Sequence, residues 1–362
     1  MQYYLDNAAT TPINQEVLDV VIKTLKQNWY NPSSSYEKGL ESKRIIENAK
    51  KIISKEINCY PEEIIFTSSG SESNALAIDG FLSANTDYEF VTTSLEHSSI
   101  LMNKNIDTIE ICNKLGLFSK NQFEKYQRCL VSIQGSNNEI GVINNLEAIS
   151  KVLHKNQCVV HSDCTQLFGH VPIDVKKIGL DMMTISGHKI NAPKGIAFLY
   201  VKRGLKLNSI IHGTQFNGIR GGTENIAFIN GLAKAVELID YEKQKYVKEM
   251  RDWLIDELMN IDGITLNGDK ENRLPGNVNI CIHNIKINSQ QLIALLDIYG
   301  FMISAGSACH TGSSEPSHVL KAIGLSDEEA QHSIRISIGN QNTYEELKGF
   351  IKCLKNIIRQ YN

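Results

Sequence analysis

The feature that most constrains the fold is an alternation of short apolar runs with longer helical stretches over the first two-thirds of the chain. The apolar runs have the length of strands, and NLEAISKVLHKNQ (145–157) between two of them carries apolar residues at helical spacing. Strands that alternate with helices in this way indicate an α/β fold with a mostly parallel sheet. The runs predicted as strands span residues 62–68, 88–94, 128–134, 157–163, 180–187 and 195–201.

Helices are predicted before and after this sheet. Two of them cover residues 14–28 and 39–57, and a long helical stretch over 225–261 is predicted to lead into a second unit of mixed strands and helices. The chain ends in a predicted helix that begins after Thr343, with Glu346 three residues later as in a capping box. With 362 residues the chain is too long for one small core, so we expect two domains or one large domain with an appendage.

Composition and charge exclude several classes of function. The net charge of −3 gives no general attraction to nucleic acid or to anionic membranes. The first residues, MQYYLDNAATTP, resemble no signal peptide, and no apolar run is long enough to span a bilayer. We therefore expect a cytoplasmic protein that binds neither nucleic acid nor a membrane directly.

One of the eight cysteines differs from the others in its surroundings. No two of them form a CxxC pair, and the chain shows no export signal, so we expect reduced thiols and no metal site. Cys129 and Cys158 stand in apolar runs, where cysteine behaves as a small hydrophobic residue. Cys309, within SAGSACHTGSSEPSHVL (304–320), stands among small and polar residues instead. Its context favours an exposed thiol in a flexible segment.

Polar residues follow the predicted strands at the ends where ligands bind in open α/β sheets. Gly70 and small hydroxyl residues open a helix that could hold a phosphate, although a plain helix cap explains this stretch alone. Lys189, taken alone, is typical of a solvated loop cation. Together the strand ends carry the amine, carboxylate and phosphate site that pyridoxal phosphate requires. The polar residues predicted to lie at the strand ends are Gly70, His97, Asn138, Asp163, Gln166 and Lys189, among which Lys189 supplies the amine, Asp163 the carboxylate and Gly70 the phosphate site.

The motifs, in their order, resemble those of the pyridoxal-phosphate-dependent cysteine desulfurases of the nitrogenase and iron–sulfur-assembly type. These enzymes belong to the class V aminotransferases within fold type I. The resemblance covers nearly the whole chain and includes YLDNAATTP (4–12), FTSSGSESNALAI (66–78), HSDCTQ (161–166), SGHKINAPKG (186–195) and GSAC (306–309).

The resemblance implies a particular division of the chain. A large domain with a mostly parallel central sheet is expected to bind the cofactor over residues 13–246. A smaller α+β domain is expected from residues 1–12 and 247–362, and it would carry the catalytic cysteine loop.

By this resemblance Lys189 forms the Schiff base and moves the Cα proton, and Cys309 takes the sulfur as a persulfide. Asp163 pairs with the pyridine nitrogen, while His97 stacks on the ring face and shuttles protons. No metal is implied. Further cofactor contacts are implied for Gly70, Ser71, Asn138, Gln166, Ser186, His188 and, across the interface of a homodimer, Thr223.

The implied reaction converts L-cysteine to L-alanine and passes the sulfur to an acceptor protein. Arg335 would clamp the substrate carboxylate with help from Asn31. The acceptor would serve iron–sulfur cluster assembly or the thiolation of tRNA or another target. Two alternatives stay equally open for His310: it lowers the pKa of the adjacent Cys309 thiol, or it merely points to solvent. The first is testable. In that case the pH profile of Cys309 alkylation shifts in His310→Ser, and an unchanged profile contradicts it.

Other readings stay open at the level of sequence. Another class V enzyme, such as a selenocysteine lyase, a cystine lyase or an aminotransferase, would share most of these motifs. Cys309 in GSAC argues against a plain aminotransferase, which needs no thiol. A degenerate scaffold or regulator without cofactor is disfavoured because Lys189, Asp163 and Arg335 are all present.

Overall fold

A seven-stranded sheet forms the centre of the computed structural model, which describes residues 2–306 and 316–362. A two-residue strand, β1 (Tyr3–Tyr4), precedes this sheet along the chain. The strands of the sheet are β2 (Ile64–Thr67), β3 (Glu89–Thr93), β4 (Thr108–Glu110), β5 (Cys129–Ser132), β6 (Val159–Asp163), β7 (Met182–Ser186) and β8 (Ala197–Val201).

The strand order is β2-β8-β7-β6-β5-β3-β4, and the five strands from β7 to β4 run parallel. The predicted mostly parallel sheet is therefore confirmed, and β8, antiparallel to both of its neighbours, is the exception. Strands β6 and β7 are buried at every position, as expected for strands covered by helices on both faces. The parallel strands end at one edge of the sheet, where the site residues follow them.

Two apolar clusters pack against the faces of this sheet. The helices predicted over 14–28 and 39–57 are confirmed, and both contribute buried residues to the larger cluster. The helices up to this point in the chain are α1 (Gln15–Gln27), α2 (Glu37–Ile57), α3 (Gly70–Ala84), α4 (Ser98–Leu101), α5 (Leu146–Lys155), α6 (Val175–Ile178) and α7 (Ile226–Glu237).

The long helical stretch predicted over 225–261 is helical but is divided into two helices. α7 ends at Glu237, and the next helix, α8 (Tyr241–Met259), begins after Asp240. The Asp240 carboxylate accepts hydrogen bonds from the backbone N–H groups of Glu242 and Lys243, at 3.0 and 3.2 Å. This cap starts a new helix where the apolar spacing alone suggested continuity.

The rest of the chain adds a three-stranded antiparallel sheet of order β12-β10-β9 and a pair formed by β1 and β11. Thr343 and Glu346 form the predicted capping box of the last helix. The elements are β9 (Ile264–Leu266), β10 (Asn277–Ile282), α9 (Ser289–Ile298), β11 (Phe301–Met302), α10 (His318–Ala322), α11 (Asp327–Gln331), β12 (Ser333–Ser337) and α12 (Tyr344–Tyr361).

The apolar residues of this second region form their own cluster, which contains Leu5 and residues from Val247 onward. Val319 and Leu320 instead pack into the larger cluster. The division into domains at residues 13–246 and 247–362 stays a prediction. No helix within the described ranges is both long enough and apolar enough to cross a membrane.

The N-terminal segment, residues 3–12, connects the two regions. β1 pairs with β11, Asp6 bridges to Ser337 at the end of β12, and the Thr11 N–H donates to the His188 carbonyl at 3.0 Å. The segment therefore fixes β12 beside the turn that follows β7.

Candidate active site

A cavity of about 350 Å³ opens where the parallel strands end. It lies between the first turn of α3, the residues after β6 and β7, the N-terminal segment and β12. Most of the predicted site residues converge on it although they are far apart in sequence. Those that line the cavity are Gly70, Ser71, His97, Asn138, Asp163, Gln166, Ser186, His188, Lys189 and Arg335.

Lys189 ends a short 3₁₀ turn, Gly187–Lys189, that follows β7 directly. A side chain at position 187 would crowd the Ile196 carbonyl and Leu232, each 3.0 Å from the added Cβ, so the tight turn favours glycine. The Lys189 Nζ donates to the carbonyls of Ala8 and Ala9 at 2.5 and 2.8 Å. The N-terminal segment therefore holds the amine at the wall of the cavity.

Asp163 is the last residue of β6 and is 6% exposed. One of its carboxylate oxygens accepts from the Asn74 side chain at 2.8 Å, and the other accepts from the Thr165 N–H at 2.9 Å. Because both oxygens are bonded, the carboxylate has a fixed orientation in the cavity. A positively charged partner, such as a protonated ring nitrogen, would find its counter-ion here.

The first turn of α3 forms one end of the cavity. α3 has 15 residues and begins at Gly70, and its N-cap Ser69 accepts from the Glu72 N–H at 3.1 Å. A Cβ added at Gly70 would lie 3.5 Å from both the Thr165 hydroxyl and the Ser186 side chain. The buried Thr165 hydroxyl has no hydrogen-bond partner in the part of the chain that the structure describes. A helix N-terminus flanked by small hydroxyl residues suits a phosphate.

Two histidines of the cavity have defined hydrogen bonds. His97 caps α4, and its Nδ1 accepts from the Ser99 N–H at 3.1 Å, which assigns the proton of the neutral ring to Nε2. His188 Nδ1 pairs with the Thr10 hydroxyl at 3.1 Å. Burial, together with the nearby charges of Lys189 and Lys194, lowers the pKa of His188 to about 4. Its ring is therefore neutral at physiological pH.

A buried acid stands beside His97. Glu96 is fully buried, and one of its oxygens accepts from the Thr93 hydroxyl and from the Gln134 N–H, both at 2.6 Å. Burial raises the pKa of Glu96 to about 8, so the neutral acid predominates at pH 7. Glu96 thereby fixes the main chain of Gln134, which lines the cavity.

Arg335 projects from β12 and is 1% exposed. Its Nη2 donates to Asp6 at 2.7 Å, and its Nη1 donates to the Asn138 carbonyl at 3.0 Å. Gln166 contacts the same N-terminal segment, since its side-chain amide donates to the Ala8 carbonyl at 2.9 Å. The cavity thus has a cationic fork from β12 near the Lys189 amine.

Not every predicted residue reaches the cavity. Asn31 and Thr223 are exposed and do not line it. The Asn31 side chain accepts from the Ser33 N–H at 2.9 Å, as in an Asx turn. The role of Thr223 across a homodimer interface stays a prediction. Cys309 and His310 lie outside the described residues.

The residues on either side of this gap do approach the cavity region. Ser317 donates to the buried Glu139 carboxylate at 2.5 Å, and a Cβ added at Gly306 would lie 3.3 Å from the same oxygen. Both ends of the segment that contains Cys309 therefore meet at Glu139, next to the cavity residue Asn138.

The sequence alone did not identify several residues that line the cavity. Asn74 follows Gly70 by about one helical turn, and Thr165 stands between Asp163 and Gln166, which were predicted to contact the cofactor. The spacing could therefore have indicated both residues. The carbonyls of Ala8 and Ala9 carry no such signal, because backbone atoms contribute nothing to a residue pattern. Lys194 also lines the cavity.

Comparison with known proteins places this geometry among related chains. The family model described as Aminotransferase class-V matches residues 3–350. A protein named Cysteine desulfurase IscS from Dictyoglomus turgidum is 37% identical, over 99% of this chain and 95% of its own length. A solved NifS-like protein superposes with a TM-score of 0.91 at 29% identity, covering 99% of this chain and 100% of that one. A structure of SspA in complex with cysteine gives a TM-score of 0.83 at 31% identity, over 95% and 100% of the two chains.

Proposed function

Because the chain belongs to the class-V aminotransferase family, we propose that it is a cysteine desulfurase that uses pyridoxal 5′-phosphate. It converts L-cysteine to L-alanine and passes the sulfur on as a persulfide of Cys309. The observation that carries the proposal is the convergence of Lys189, Asp163 and Arg335 on one cavity. The relative solved with bound cysteine supports the choice of substrate.

The residues of the cavity fit this cofactor. The phosphate would bind at the first turn of α3, where the Thr165 hydroxyl is buried and has a hydrogen bond to spare. Asp163 would hold the ring nitrogen, and Gln166 and Asn138 would lie toward the ring hydroxyl. The Lys189 amine is the group to which the cofactor would attach. The Lys189 amine, the Asp163 carboxylate and the first turn of α3, which would bind the phosphate, therefore line one cavity.

When bound, the cofactor withdraws electrons from Cα and Cβ of the amino acid, which weakens the bond between Cβ and sulfur. Lys189 then acts as the base that moves the proton at Cα. Its turn and the carbonyls of Ala8 and Ala9 hold Nζ in the cavity for that task. Because the Ser99 N–H donates to the Nδ1 atom of His97, the Nε2 atom is the one that can donate a proton toward the cavity.

Sulfur transfer is assigned to Cys309. Its thiolate attacks the substrate sulfur, an S–S bond forms, and the bond between Cβ and sulfur breaks. The electron pair of the broken bond remains on Cβ and takes up a proton, which completes L-alanine. No external oxidant is needed, because the carbon is reduced while the two sulfurs become a persulfide.

The persulfide is then passed to an acceptor protein, which serves iron–sulfur cluster assembly or the thiolation of tRNA or another target. We further propose a homodimer in the cytoplasm, in which Thr223 reaches the cofactor phosphate of the neighbouring subunit. Arg220, three residues earlier, supports a fixed loop, since it binds Glu72 of α3 at 2.7 and 3.2 Å. Asn31 would assist with the substrate carboxylate.

The direct test is to incubate the purified holoenzyme with L-cysteine and a thiol reductant, and to measure L-alanine and sulfide. We expect the two products in equal amounts. Pyruvate and ammonia in place of L-alanine would instead indicate a lyase, and this outcome contradicts the proposal.

Arg335→Lys is expected to raise the KM for L-cysteine by about 10- to 100-fold, with a smaller effect on kcat. A lysine keeps the charge but loses the planar fork, and a charge-assisted hydrogen bond contributes about 1.5–3 kcal/mol. Steady-state kinetics measure the change, and thermal unfolding checks that the variant is folded. Arg359→Lys on the exposed side of α12 is the matched control. Equal KM values for Arg335→Lys and wild type would contradict a carboxylate-binding role.

A further inference from the structure

A buried ion pair joins the N-terminal segment to the cavity arginine. The Arg335 guanidinium forms an ion pair with the carboxylate of Asp6, whose side chain is 18% exposed. Two of the five guanidinium N–H groups are engaged, one by Asp6 and one by the Asn138 carbonyl. The Nε atom is buried and has no hydrogen-bond partner within residues 2–306 and 316–362. The guanidinium is therefore held at one side while other donors remain for a ligand.

The backbone around Asp6 is attached to the strand that carries the arginine. Asp6 bridges to Ser337, and the Asn7 N–H donates to the Ser337 carbonyl at 3.1 Å. The Tyr4 hydroxyl donates to the Asp6 carbonyl at 2.9 Å. The backbone around Asp6 is hydrogen-bonded to the same strand that carries Arg335. The Asp6 carboxylate therefore has a fixed position and orients the Arg335 guanidinium.

Energetic considerations indicate what the pair does. A buried guanidinium without a counter-ion is unfavourable, and its long side chain has many rotamers. A substrate carboxylate that had to order this side chain would lose part of its binding free energy. Asp6 provides both the charge and the orientation before the substrate arrives. Removal of Asp6 would leave Arg335 charged but with a main-chain carbonyl as its one described partner.

We propose that Asp6 is a positioning residue that presents Arg335 to the α-carboxylate of the amino-acid substrate. The proposal rests on the proposed function and deepens it, since it names the recognition of an α-carboxylate as the step that Asp6 controls. Asp6 acts through Arg335 and not on the reacting atoms. Its removal is therefore expected to affect ligands with a carboxylate and to spare ligands without one.

The first test compares the Asp6→Asn and Asp6→Glu holoenzymes with wild type. Asp6→Asn is expected to raise the KM for L-cysteine about tenfold and to leave kcat within about twofold. Asp6→Glu keeps the charge and is expected to recover part of the loss. Asp19→Asn, an exposed acid on α1, serves as the control. An unchanged KM overturns the proposal, and a lowered KM does so too, because Asp6 would then compete with the substrate.

The second test separates positioning from a general structural role. The absorbance of the bound cofactor is titrated with L-alanine, which has a carboxylate, and with 2-aminoethanethiol, which has none. In Asp6→Asn the apparent Kd for L-alanine is expected to rise about tenfold, while that for 2-aminoethanethiol stays within about twofold. Equal weakening of both ligands overturns the proposal. If Asp6→Asn does not fold, the same two titrations on Asp6→Glu decide the question.

These titrations report binding and not turnover. A wild-type protein that binds L-alanine but forms no L-alanine from L-cysteine would contradict the proposed function. The carboxylate-specific effect of Asp6 would still be measured in that protein, so the two failures can be told apart.

Discussion

Lys189→Ala is expected to lower the formation of L-alanine from L-cysteine by at least about 10³-fold. A positioned base alone contributes about 10²- to 10⁴-fold, and this lysine is also the point at which the cofactor would attach. In the structure its Nζ is held by the Ala8 and Ala9 carbonyls at the wall of the cavity. No other lysine of the described chain shares that position, and Lys194, which also lines the cavity, is five residues further along.

The measurement combines kinetics with a covalent readout. Borohydride treatment of the wild-type holoenzyme is expected to attach the cofactor permanently, so that mass spectrometry of peptides finds it on Lys189. Lys189→Ala is expected to show no such adduct. Lys206→Ala, an exposed lysine beyond β8, is the matched control and should behave as wild type. Retained activity in Lys189→Ala, or an adduct on a different lysine, would contradict the assignment.

Cys309→Ser is expected to lower sulfide and L-alanine formation by at least about 10²-fold. The Cys309 thiol belongs to the same chain as the site and therefore acts at a high effective concentration. In Cys309→Ser only a thiol reductant from solution could attack the substrate sulfur, at a far lower concentration. Labelled L-cysteine should leave persulfide sulfur on the wild-type chain and none on the variant. This experiment also decides between the desulfurase and a lyase that needs no thiol, because such a lyase keeps its activity in Cys309→Ser.

Cys59→Ser is the matched control for this variant. Cys59 is half-buried next to the loop before β2, and burial, with Glu63 nearby, raises the pKa of its thiol to about 12. It is therefore a thiol and not a thiolate at neutral pH, and its removal should leave persulfide formation unchanged. If Cys59→Ser loses the persulfide and Cys309→Ser keeps it, Cys59 carries the sulfur and our assignment to Cys309 is wrong.

The sequence was most informative where function and local structure coincide. Asp163 is the last residue of β6, and His97 and Lys189 follow β3 and β7 by four and three residues, so an apolar run and the polar residues at its end reveal both the element and the site. The direction of a strand leaves no such mark. The run that became β8 is buried throughout, and nothing in its composition indicates that it is antiparallel to its neighbours.

Contacts between distant parts of the chain were beyond prediction from pattern. The pair of Asp6 and Arg335 spans 329 residues, and neither residue carries a periodic signal of the other. The break between α7 and α8 was missed for a related reason. Asp240 is one polar residue within a long stretch of apolar residues at helical spacing. Only the hydrogen bonds of its side chain show that a new helix starts there.

The N-terminal segment can complete its contacts only late in the synthesis of the chain, because its partners lie far away in sequence. The Asn7 side chain donates to the Ser337 carbonyl across 330 residues of sequence, so this contact forms only after β12 has been synthesised. Contacts of such separation form late, while the large sheet can assemble earlier from local units. Until β12 is made, the chain lacks Arg335, and Asp6 and Asn7 lack their partner Ser337 although β11 is already available to β1. A chain that stops before β12 therefore lacks Arg335 and one wall of the cavity.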